Sequence, residues 1–145
     1  AFDGVSAAAD ERILVLGATN LPNELDDAAV RRLPKRIYVP LPDAPTRAHI
    51  VRSLLRKTRH SLSAAQVDAV ARATDGYSGS DLAQLAKEAA FGPIRELGDR
   101  IRDVAMDDVR PVSDKDFFRA LSTIRASVKP ENLKSLEKWA ELYGC

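Results

Sequence analysis

Cysteine is nearly missing from this chain: the only one is Cys145, the final residue. No internal disulfide can form, so packing and hydrogen bonds must hold the fold, as suits a reducing compartment. Long apolar runs are missing too. Nothing approaches the ~18 consecutive apolar residues of a membrane span. The opening AFDGVSAAADERI lacks the basic-then-apolar order of a secretory signal. With Phe2 and Val5 outside any pattern, it reads as a start in mid-domain. An excess of one charge is absent as well. The net charge of +1 offers no global attraction to nucleic acid or to an acidic membrane, so any use of charge is local. There is no G-x-x-x-x-G-K-[ST], hence no Gly-rich phosphate cradle with its Lys and its Mg²⁺-binding hydroxyl. No apolar strand ends in Asp-Glu. His49 and His60 have no cysteine or carboxylate cluster at ligand spacing, so they read as surface histidines and no metal site is assigned. Repeats and low-complexity segments are lacking.

What is present has the composition of a globular protein, 45% apolar and 30% charged over 145 residues. Residues 13–16 form a continuous apolar run and read as a strand buried on both faces, as in a parallel sheet. LDDAAVRRL reads as one or two helical turns capped by Asp26, with its cations at the end that the helix dipole favours. KRIYVPL reads as a second short strand, ended by Pro40 and Pro42.

Beyond Pro42 the pattern is helical throughout. Asp43 caps a helix with Pro45 in its first turn and a stripe of Ile50, Val51, Leu54 and Leu55. Three later starts share one device, a capping box with a hydrophobic staple. Ser63 pairs with Gln66, stapled by Leu62 and Val67; Ser78 pairs with Asp81, stapled by Tyr77 and Leu82. Ser113 pairs with Asp116, stapled by Val112 and Phe117, and leads into Leu121 and Ile124. The Ser63 helix stops at Asp75 and Gly76. The Ser78 helix carries Leu82, Leu85, Ala86, Ala89 and Ala90 and breaks at Gly92 and Pro93. A last helix starts near Pro130, with Trp139 and Tyr143 on one face as core anchors. Residues 98–112 read as a charged, solvated connector.

Two features suggest chemistry. A strand ending in Thr19 and Asn20 would deliver a neutral amide to the ligand-binding edge of a parallel sheet. There Asn20 could orient a water or a phosphate oxygen, or it could merely cap its own turn before Pro22. Arg31 and Arg32 end a short helix that returns at once into a strand, which holds both guanidiniums on a fixed edge. Such forks suit a polyphosphate on a neighbouring subunit, or they simply complement the helix dipole.

GATNLPNELDDAAVRRLPKRIYVPLP resembles the second region of homology of AAA ATPases, and DGYSGSDLAQLAKEAAFGPIREL resembles the long helix of that family's small domain. The resemblance runs on to the end of the chain and is nearest to the microtubule-severing group of spastin, fidgetin-like proteins and katanin. It implies the C-terminal half of a AAA cassette. The implied fold is an α/β remnant of the P-loop large domain over residues 1–42, followed by a small all-α lid domain over 43–145. Asn20 then takes the sensor-1 role, and Arg31 and Arg32 the finger roles in the adjacent subunit's site. Gly79 and Ser80 fall where the lid approaches adenine and ribose, and glycine at a helix N-terminus suits a close backbone approach. The wider family's sensor-2 arginine would fall about at Ser80 and is absent. Pro34 departs from the usual residue behind the fingers. Leu54 stands where some relatives place a His, and is assigned to core packing.

The resemblance further implies an ATP hydrolase using ATP and Mg²⁺, assembled as a ring, likened to a hexamer, with microtubules and their tubulin tails as substrate. Its expected location is cytoplasmic and cytoskeleton-associated, or nuclear. Without a phosphate loop, this chain alone is expected to turn over no ATP and to hold nucleotide weakly. An ESCRT-III-disassembling AAA ATPase is the nearest competitor; its small domain carries a β-domain insertion for which residues 98–113 leave too little length. A non-catalytic helical oligomerisation or binding module is the other alternative. Read as helix-turn-helix, the Ser78 helix would place Asp81 where base readout wants a cation or an amide, so no nucleic-acid partner is expected.

Overall fold

The structure, a computed structural model, describes residues 14–144. Among them, seven α-helices follow in order: α1 (Asp27–Arg32), α2 (Ala44–Leu55), α3 (Ala64–Ala73), α4 (Gly79–Ala90), α5 (Gly92–Leu97), α6 (Asp114–Ala120) and α7 (Pro130–Tyr143). Short 3-10 turns occupy Pro22–Glu24, Gly98–Arg102 and Met106–Asp108. The last two fill the stretch between α5 and α6, and no β-domain stands there.

The caps start the helices where short polar side chains can take first-turn N–H groups. Asp43 Oδ1 accepts from Thr46 N–H at 2.9 Å at the head of α2. Ser63 Oγ accepts from Gln66 N–H at 3.3 Å, and Gln66 answers by accepting from Ser63 N–H at 2.8 Å. Ser78 and Asp81 repeat the exchange at 3.2 and 2.9 Å. At α6, Asp116 accepts from both the backbone N–H (2.8 Å) and the hydroxyl (3.0 Å) of Ser113. All six staple residues are buried, so each cap also points its helix at the core. Gly76 turns the chain after α3 at φ +76°, a conformation that costs other residues a clash at Cβ.

Helices α2, α3, α4 and α6 pack around one core built on Val51, Val70, Leu82, Leu85 and Phe117. Two polar clamps brace it. Arg47 on α2 is buried; it donates to Ala71 C=O (3.0 Å) and Pro42 C=O (2.8 Å) and pairs with Asp75 at 3.1 Å. One side chain thus ties the entry of α2 to the end of α3. The second clamp is Arg110, whose fork meets Glu96 on α5 (2.6 Å) and the buried Asp116 on α6 (2.8 Å). The 98–112 connector is therefore anchored rather than merely solvated, and Arg59 holds it again by donating to Asp107 C=O at 2.6 Å. A single parallel bridge, His60 to Val112, completes the contact.

Gly92 exists for this clamp. A Cβ there would run into the Asp116 carboxylate, with Asp116 Cβ only 3.0 Å away. Gly92→Ala is expected to lower stability by about 1–3 kcal/mol, read as a fall in Tm. An unchanged melting curve would mean that the Asp116 side chain yields.

Three expectations need correction. Residues 14–16 and 35–41 form no strand, although residue 13 of the first run lies outside the described residues. Leu14, Leu16, Ile37 and Val39 stand 89%, 87%, 81% and 82% exposed. A strand persists only by exchanging backbone hydrogen bonds with neighbours, and these segments have none among the described residues. So the α/β remnant is not formed here; the described fold is helical. Trp139 and Tyr143 do not anchor the core either: α7 buries no residue, and its aromatic pair, 5.4 Å apart, flanks a shallow cavity beside Pro22, Leu25 and Val30. Leu54 lies on the exposed side of α2, while Val51 and Leu55 take the core.

Candidate functional site

Asn20 sits in an exposed turn. The turn's own cap comes from the preceding residue, since Thr19 Oγ1 accepts from Leu21 N–H at 3.0 Å. Further along, α1 begins on Asp26, whose Oδ1 accepts from Ala29 N–H at 2.7 Å, and closes with Leu33 N–H on Ala29 C=O at 3.0 Å. Arg31 and Arg32 occupy its last turn, both exposed.

So short a helix cannot hold itself together. It is braced by Arg36, which donates to Val30 C=O at 2.8 Å and to Tyr143 C=O of α7 at 3.1 Å. Asn23 adds a hydrogen bond to Ser135 Oγ, also on α7, at 3.3 Å. Sequence reasoning missed Arg36. Within KRIYVPL it looks like one more cation, and only the return of a helix more than a hundred residues later gives it the acceptor that ties α1 to α7.

The other candidates, Gly79 and Ser80, are the first two residues of α4 and both are exposed. The capping box takes up the N–H groups of Ser78 and Asp81. Those of Gly79 and Ser80 find no acceptor among the described residues. A Cβ on Gly79 would meet nothing within 4 Å, so the fold itself does not require glycine there. Beneath this turn lies Asp81, only 2% exposed. Burial alone would raise its pKa; hydrogen bonds from Ser78 and Ser127 outweigh that and hold the carboxylate below its usual range.

The structure thus sets the candidates on two supports. Asn20, Arg31 and Arg32 belong to the segment gripped by α7, while Gly79 and Ser80 belong to the four-helix core. Among the described residues, no group of three or more His, Cys, Asp or Glu is placed to hold a metal ion.

Comparison with known proteins decides the family. Residues 64–110 match the AAA+ lid domain, and residues 101–144 match the Vps4 C terminal oligomerisation domain. The chain is 53% identical to spastin of Nematostella vectensis over 144 residues, covering 99% of this chain and 24% of that protein. The chain belongs to the AAA ATPase family. It is also 49% identical to fidgetin-like protein 1 of Caenorhabditis briggsae, with 99% of this chain and 24% of that one covered. It spans about a quarter of the length of these curated relatives. A crystal structure of the FIGL-1 AAA domain in complex with ADP superposes with a TM-score of 0.91 at 47% identity, covering 99% of this chain and 49% of that one. A structure described for katanin self-assembly superposes with a TM-score of 0.72 at 29% identity, over 85% and 45% of the two chains.

Within the AAA ATPase frame, α3 to the connector is the lid, and the connector, α6 and α7 lie in the oligomerisation match. The N-terminal turn of α4 fits one side of a nucleotide, since it is uncovered, lacks a side chain at Gly79 and has N–H groups to give. The described residues offer no comparable set of oxygens for Mg²⁺.

Proposed function

We propose that this chain supplies the nucleotide-lid and trans-acting parts of a spastin- or fidgetin-like AAA ATPase that works as a ring, with hexamer as the expected order. On this reading residues 1–42 complete a large α/β domain and 43–145 form the lid. The exposed apolar residues Leu14, Leu16, Ile37 and Val39 support it, because strand-like segments without neighbours suit a sheet completed elsewhere. Bound ATP with Mg²⁺ would supply the scissile phosphoanhydride. Asn20 orients water or reads the terminal phosphate, and Gly79 and Ser80 present backbone N–H groups to the base and sugar side. Arg31 and Arg32 bring fixed positive charge to the next subunit's phosphates, where charge builds during transfer.

The observation that carries this reading is the placing of Arg31 and Arg32. They end a helix of six residues that is braced by Arg36 and α7, and both are exposed to solvent. Similarity to spastin and fidgetin-like protein 1 supports microtubule severing by pulling tubulin tails, hence a cytoplasmic, cytoskeleton-associated location. The match of residues 101–144 to an oligomerisation domain supports self-assembly. Among the described residues no helix is long and apolar enough to cross a membrane.

Gly79 tests the lid. Its Cβ space is open, so Gly79→Ala is expected to leave Tm unchanged or raise it slightly through helix propensity. In a chain that also carries the phosphate-binding loop, Gly79→Leu is expected to weaken binding of a fluorescent ATP analogue. Binding as tight as wild type would refute the lid assignment.

A further inference from the structure

Two residues that flank the exposed turn of α4 reach across to the segment leading into α7. The Tyr77 ring is buried, and its hydroxyl donates to Ile124 C=O at 2.6 Å. Asp81 Oδ2 accepts from Ser78 N–H (2.9 Å) and Ser78 Oγ–H (2.8 Å), and also from Ser127 N–H at 3.3 Å. Ser127 lies two residues before Lys129, the N-cap of α7. The same carboxylate that caps α4 therefore fixes the entry to α7. At its far end α7 holds the finger segment through Ser135 to Asn23 and through Tyr143 C=O to Arg36, which in turn holds Val30 on α1.

The two supports differ in how they are held. α4 is pinned by Leu82 and Leu85, both fully buried. α7 buries no residue and rests on the turn at Pro22–Glu24, beside an open cavity of about 240 Å³ whose lining includes Leu25, Val30, Trp139 and Tyr143. An element fixed by a few hydrogen bonds and shallow contacts shifts at lower cost than one fixed by a packed core. A small change at the α4 turn can therefore move α7 while leaving the core in place.

We propose that Tyr77 and Asp81 form a clasp that couples the N-terminal turn of α4 to α7, and through α7 sets the position of the arginine-bearing α1. The coupling rests on the reading of the α4 turn as nucleotide-facing; the clasp itself does not. Tyr77 and Asp81 are positioning residues, and neither is required to touch nucleotide.

The test is hydrogen exchange, read by mass spectrometry on this chain without nucleotide. Tyr77→Phe keeps the ring and removes only the hydroxyl. It is expected to speed exchange in residues 124–143 and 22–36 by about two- to tenfold, the worth of one hydrogen bond, while α2 and α3 keep wild-type protection. Asp81→Asn should act on the same two segments. Wild-type exchange in 22–36 for both variants overturns the clasp. A second arm adds ADP to a chain that includes the phosphate-binding loop. ADP should slow exchange in 22–36 for the wild type and not for Tyr77→Phe, and equal slowing in both overturns the coupling. If the first arm holds and ADP leaves residues 78–81 and 22–36 unchanged in the wild type, the nucleotide-facing reading of α4 fails instead.

Discussion

Arg32→Ala, made in a protein that carries the complete cassette, is expected to cut ATP turnover of the assembled ring by about 10³–10⁵-fold. Tm and nucleotide binding by the monomer should stay near wild type. The magnitude separates the two uses of this residue. A cation at the end of an exposed helix stabilises its own fold by about 0.3–1 kcal/mol, a shift of only a few degrees in Tm. A finger that meets developing charge in another subunit is worth several times that in barrier height, and nothing in its own protomer's melting. Arg32 is exposed on α1, and α1 owes its position to Arg36 and α7, so removing the side chain leaves that brace intact. Mixing sharpens the result. Rings built from Arg32→Ala subunits and subunits lacking the phosphate-loop Lys contain some interfaces with both groups intact, and partial turnover should return. No recovery at any ratio, with assembly confirmed, would mean that the arginines act within their own subunit.

Asp116→Ala is expected to lower stability by about 2–4 kcal/mol. Three duties meet in that carboxylate. It accepts from Ser113 N–H and Oγ–H at the head of α6, and it takes both arms of Arg110 at 2.8 Å. Its bulk also fills the space that Gly92 leaves open. The loss stays below that of a fully buried pair because Arg110 is 36% exposed and keeps Glu96 at 2.6 Å. Hydrogen bonding from Arg110, opposed by burial and aided by Ser113, holds the Asp116 pKa down at about 2, against 3.8 for a free side chain. The sign follows. A depressed carboxylate contributes its full stability above the unfolded pKa near 4 and loses it as the pH falls through about 2, on the order of 2 kcal/mol. Acid titration of Tm should therefore fall between about pH 4 and pH 2 in the wild type, and more shallowly in Asp116→Ala. Equal slopes would assign the acid transition to other carboxylates. Asp114→Ala, at a half-buried first-turn position two residues earlier, serves as the control for loss of a first-turn carboxylate that does not meet Arg110.

Local signals in the chain were strong where the physics is local. A serine three residues before a Gln or Asp, set between apolar residues, specifies a helix start within a single turn, and Ser63, Ser78 and Ser113 all begin helices as their spacing requires. The stripes of α2 and α4, Leu54 apart, likewise point to a core with no knowledge of partners. Family motifs located the candidate site by position, but said nothing about what holds it.

The polar clamps were invisible because each joins residues that are distant in sequence. Arg47, Arg36 and Arg110 look alike as letters. One is buried against the end of α3, one catches the last turn of α7, and one spans α5 and α6. A guanidinium acquires meaning only from the carbonyls and carboxylates that folding brings within its reach. Gly92 was legible as a helix breaker, yet its reason is the carboxylate of Asp116 lying against it. The strands failed for the converse reason: an apolar run can ask for a sheet, but its hydrogen bonds belong to neighbours that the run does not encode. Trp139 and Tyr143 carried a correct helical period and no information about depth, because period marks a shared face, and what covers that face is decided by the packing of α7 on the turn at Pro22–Glu24.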